Sequence, residues 1–85
     1  MDLLEALGRV VRRERARRGL TQEKLAELSD LHTNLISLIE RGKSAPAIDT
    51  LEAIARALGR RPSQIVRAAE REMPWTAGEQ ARSSE

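Results

Sequence analysis

Thr33, Asn34, Ser37 and Leu38 fall on one face if the segment after His32 is helical, because helical neighbours recur three and four residues apart. Three of the four carry small hydrogen-bonding groups, an amide and two hydroxyls, that donate as well as accept. Such a face suits the donor, acceptor and methyl groups along the edge of a base pair. Asn34 fits an adenine edge, but the same side chain can hold a phosphate or cap a helix. Thr33 offers a methyl to thymine and a hydroxyl to a base, or else serves as a plain N-cap. Ser37 is small enough for a helix to come close. Leu38 fits a thymine methyl, with a surface leucine or a dimer contact as alternatives. Ile36 and Ile39 are expected to face a core, and Leu35 lies between the two directions. His32 is the only histidine, which leaves no partner for a histidine-based metal site. It is read as a turn-capping or phosphate-facing residue.

A helix this short needs bracing. The stretch from Leu20 to Arg41 reads as two short helices around a tight break. Thr21 supplies a hydroxyl for a free backbone N–H, and Gln22 and Glu23 open the first of them. Leu25, Ala26 and Leu28 give its buried stripe, Ser29 and Asp30 break the pattern, and Leu31 can plug the corner. Two crossed helices with a short turn place one helix in a DNA groove while the other braces it. Gln22 and Thr21 sit where outward N–H groups and the helix dipole favour an anion, so both are candidate phosphate contacts. Arg41, Lys43 and Ser44, just past the second of these helices, are the next candidates.

Five helices and no strand are readable in the whole chain. The first is predicted over about residues 2–18, with Asp2 as cap and Leu3, Leu4, Leu7, Val10 and Val11 at helical spacing. The fourth covers about 48–58, with Leu51, Ile54, Ala55 and Leu58 inward. The fifth covers about 62–72, opened by Pro62 and carrying Ile65, Val66 and Ala69. Gly19, Gly42 and Gly59 are the expected terminators. Residues 1–72 then form one domain, and 73–85 a small, polar C-terminal extension expected to be partly disordered.

Composition narrows the function. Eighty-five residues suit one small core. Fifteen basic residues against 13 acidic ones leave a net charge of only +2, so distribution matters more than the sum. Arg9, Arg12, Arg13, Arg15, Arg17 and Arg18 crowd the first helix, with Glu14 the only acid among them; Arg56, Arg60, Arg61 and Arg67 form a second group. Not every arginine can face one duplex. There is no cysteine, which excludes disulfides and thiol catalysis. No acid–base pair, nucleophile–base pair or glycine-rich phosphate loop points to an enzyme, and no cofactor is expected. No apolar run approaches the ~20 residues of a membrane span, so a cytoplasmic protein is the expectation, nucleoid-associated only through DNA binding.

The ordered set Thr21-Gln22-Glu23, Leu25-Ala26, Ile36-Ser37, Ile39-Glu40-Arg41-Gly42-Lys43, Pro46, Asp49-Thr50-Leu51 and Ile54 to Gly59 resembles the helix-turn-helix family of phage repressors, Cro proteins and Xre-type regulators. Restriction–modification controller proteins and antitoxins are among its small stand-alone members. The resemblance covers roughly residues 7–66. It implies an all-α, compact five-helix lambda-repressor-like domain that binds double-stranded DNA and regulates transcription. It also implies that Gln22 bonds a backbone phosphate and braces the recognition helix, and that Arg15 pairs with Glu40 as a structural ion pair. Two positions depart from the family pattern. Asp30 stands where glycine is usual, which Asp tolerates better than most residues. Glu14 replaces an apolar residue, so looser packing of the first helix is expected there. One module reads few base pairs, and a homodimer on a palindromic operator is the usual remedy. Ile65, Val66, Met73 and Trp75 are the candidate dimer contacts, although Trp75 equally fits a cover over the subunit's own core. A second reading is an antitoxin-type or regulator-binding interaction module with secondary DNA binding, for which an exposed Leu35, Leu38 and Trp75 would be suited.

Overall fold

Asp2 Oδ1 accepts the Glu5 N–H at 2.9 Å and thereby starts α1 (Leu3–Arg17), satisfying one of the free donors of its first turn. Thr21 Oγ1 does the same for α2 (Gln22–Ser29), accepting from the Lys24 N–H at 3.0 Å. The chain then turns at Asp30, whose φ of 58° and ψ of 44° put it in the left-handed region. That turn closes with the Leu31 N–H donating to the Ala26 carbonyl at 2.9 Å. It leads directly into α3 (Thr33–Glu40), followed by α4 (Ile48–Ala57) and α5 (Pro62–Arg71). The computed structural model describes residues 1–74, and these five helices with no strand are the regular structure among them. The expectations for Trp75 and for 75–85 lie outside the described residues.

Eight side chains carry the core: Val10 and Val11 of α1, Leu25 of α2, Ile36 and Ile39 of α3, Ile54 of α4, Leu58 and Ile65, each under 2 % exposed. Burying each contributes about 1.5–3 kcal/mol before chain entropy is charged against it. α3 packs against both α1 and α2, while α5 closes over α1 and α4. The short α3 is thus held from two sides. Leu31 and Leu35 pack against the margin of this core.

The structure corrects three expectations. Leu28 is 50 % exposed rather than part of the buried stripe, because an eight-residue helix wedged between two neighbours buries only a narrow seam. Thr33 is the first helical residue and His32 the N-cap, with no side-chain capping bond from either. Glu14 does not loosen α1. Its carboxylate is buried and accepts from Arg60 Nε at 3.0 Å and Arg17 Nη1 at 3.2 Å. The charge that looked out of place is compensated by two guanidinium groups.

Candidate nucleic-acid interface

Ile36 and Ile39 pin α3 to the core at 0 % exposed, which fixes the direction of the remaining side chains. Asn34 and Leu38 are exposed, with Thr33 and Ser37 half-buried beside them. Leu35 divides its surface between the core margin and a shallow depression that it lines with His32, Thr33, Asn34 and Leu38. The face therefore combines small polar groups with an apolar patch. That is the mixture a major groove presents in return.

The start of α2 is tied to the end of α3. Gln22 Nε2 donates to Glu40 Oε1 at 3.1 Å. Arg15 of α1 meets the same carboxylate at two points, Nε to Oε2 at 2.6 Å and Nη2 to Oε1 at 3.0 Å. Its Nη1 donates to the Leu20 carbonyl at 2.7 Å, fixing the chain just before Thr21. Glu40 is only 2 % exposed at its side chain, so its charge is spent inside the fold and does not face an incoming anion. The Glu40 hydrogen bond holds the Arg15 guanidinium above its ordinary pKa, against the opposing effect of burial. One carboxylate thereby sets the mutual angle of three helices through fork-shaped, charge-assisted bonds. Its bond to Gln22 uses one amide N–H, and the second has no hydrogen-bond partner among the described residues.

Gly8 is a residue that the sequence reading missed. A methyl group at this position would lie 2.4 Å from the Ile39 carbonyl oxygen and 2.7 Å from that of Glu40. The backbone of α1 thus rests directly on the last turn of α3. A signal existed: a glycine inside a helical run costs about 1 kcal/mol against alanine, so it needs a packing reason.

Past α3, the Lys43 N–H donates to the Leu38 carbonyl at 2.8 Å and Gly42 takes a φ of 70°, reversing the chain. Arg41 and Lys43 are exposed there and Ser44 is half-buried. The first-helix arginines divide: Arg15 turns inward, and Arg13 and Arg17 pair with Glu72 and Glu14. Ile65 is 1 % exposed within the chain's own core, which removes it from the candidate dimer contacts. Val66 and Met73 remain half-buried at the surface.

A family model described as helix-turn-helix matches residues 11–65, well over half of the chain. The chain belongs to the helix-turn-helix family. It is 42 % identical over 60 residues to the control protein C.BamHI of Bacillus amyloliquefaciens, covering 69 % of this chain and 74 % of that protein. The immunity repressor protein of Bacillus phage phi105 is also 42 % identical over 60 residues, which span 71 % of this chain but only 42 % of the repressor. Among solved structures, the restriction-modification controller protein C.AhdI of Aeromonas hydrophila superposes with a TM-score of 0.72 at 32 % identity. That match covers 73 % of this chain and 94 % of C.AhdI. The protein is accordingly a DNA-binding transcription regulator of the controller-like, lambda-repressor-like type, and its relatives are regulators, not enzymes. No helix among the described residues is long and apolar enough to cross a membrane.

Proposed function

We propose that this helix-turn-helix regulator binds double-stranded DNA sequence-specifically, as a homodimer on a palindromic operator, with α3 lying in the major groove. Asn34, Ser37, Thr33 and Leu38 read base edges, Asn34 by its amide and Leu38 by contact with a thymine methyl. Gln22, Thr21, Arg41, Lys43 and Ser44 grip the strand beside it and set the register. The observation that carries this reading is the Glu40 clamp, which holds the Gln22 amide in fixed relation to the exposed polar face of α3. A side chain immobilised in this way loses little entropy on meeting a phosphate. Val66 and Met73 are the surface-side residues of α5 and its end that would meet a second copy.

The test is a selection of random duplexes by the purified chain, repeated at several salt concentrations. A palindrome with half-sites about one helical turn apart, ~10 base pairs, is the expected result. Affinity should fall linearly with salt on logarithmic axes, as displaced counterions require. Recovery of no motif, with duplex binding insensitive to salt, would favour the protein-interaction reading instead.

A further inference from the structure

A groove of about 350 Å³ between α1 and α5 gathers five arginines around one buried carboxylate. Arg13 and Arg17 reach it from α1, Arg60 from the turn before α5, and Arg67 and Arg71 from α5 itself. Glu14 sits in its wall, 7 % exposed, with one carboxylate oxygen on Arg60 and the other on Arg17. Arg13 is paired with Glu72, while neither Arg67 nor Arg71 has an ion-pair partner among the described residues. Two carboxylates against five guanidinium groups leave an uncompensated excess of three positive charges. No residue of α2 or α3 lines the groove, so it is separate from the nucleic-acid interface.

Like charges converging on one cleft repel, and the folded chain gains when an anion enters between them. Arginine forks match phosphate oxygens two at a time, and Glu14 already holds two of the five in place. The volume lies at the lower end of small-molecule sites, which run from about 300 to 1,000 Å³. Among the described residues its lining contains no aromatic ring on which a base would stack. Five arginines lining one groove of this size suit a compact anion better than the evenly spaced phosphates of a strand. We propose that the α1–α5 groove binds a free oligophosphate, held by Arg67 and Arg71 with Arg13, Arg17 and Arg60 around it.

Inorganic tripolyphosphate is the probe, titrated calorimetrically into the full chain at constant ionic strength. The wild type should bind one equivalent, and R67Q/R71Q about tenfold more weakly or worse, since each lost guanidinium removes charge-assisted hydrogen bonds. Both substituted residues are exposed and lose only repulsion in the free chain, so the double variant should melt no lower than the wild type. Gln22→Ala should keep tripolyphosphate binding while losing duplex affinity, which separates this site from the one on α3. No heat of binding, or equal binding by wild type and R67Q/R71Q, overturns the proposal. So does a loss of duplex affinity in R67Q/R71Q, which would make the groove a second contact for a nucleic-acid strand.

Discussion

Glu40 is the side chain on which the geometry of this protein most depends, since Arg15 and Gln22 both lean on it from other helices. Removing one partner of a buried pair leaves the other charge uncompensated, so Glu40→Ala should lower unfolding free energy by about 3 kcal/mol. Denaturant titration measures this, and coincident midpoints for wild type and variant would refute the clamp. The double variant Arg15→Ala/Glu40→Ala should cost less than the two single losses added together, because the pair is shared. Gly8 offers a contrary case, in which the better helix former is the worse residue. Gly8→Ala gains about 1 kcal/mol of helix propensity but drives a methyl into the Ile39 and Glu40 carbonyls. Overpacking of this kind costs about 1–3 kcal/mol, and relief requires α1 to lift from α3. The variant should therefore be less stable by denaturant titration; a rise in stability would show that the two helices separate freely.

At the level of elements, the turn between α2 and α3 sets the crossing of the two helices, and it passes through a left-handed Asp30. Asp30→Val should cost about 1–2 kcal/mol, because a β-branched side chain tolerates that conformation poorly. Asp30→Gly should not lower the melting temperature, and a fall would mean that the Asp side chain supports the turn in its own right. Turn, caps and helix spans were legible from the sequence because each depends on neighbours: Asp2, Thr21 and Asp30 act within a few residues of themselves. What stayed hidden depends on distant partners. Leu28 looks apolar and periodic, but whether it is covered is decided by how α4 approaches. Glu14 looks misplaced until Arg60, 46 residues away, arrives on it. Ile65 and Val66 are adjacent apolar residues of α5, and only the packing of that helix on α1 and α4 assigns one to the core. The Arg15–Glu40 pairing and a brace from Gln22 to α3 were accessible through family resemblance alone, and Glu40 as the group that Gln22 grips was not expected.

For the whole molecule, a helix of eight residues can present only a few side chains to a groove, so the proposed sequence-specific docking predicts a second copy. Sedimentation equilibrium should find twice the 9.5 kDa of the single chain, and Val66→Glu should shift that equilibrium towards the monomer. Unchanged association in this variant, with the fold intact, would move the interface away from α5. The decisive measurement is the affinity of the full chain for its selected duplex, compared across Gln22→Ala, Asn34→Ala and Ser37→Ala. Docking of α3 predicts that Asn34→Ala and Ser37→Ala melt within about 0.5 kcal/mol of the wild type. Gln22→Ala gives up a hydrogen bond to the buried Glu40 carboxylate, so it should stay folded but lose about 1.5 kcal/mol. Docking predicts that each variant binds the selected duplex roughly tenfold more weakly, as loss of a base or phosphate contact requires. Undiminished binding by all three would mean that α3 and the start of α2 do not touch the duplex.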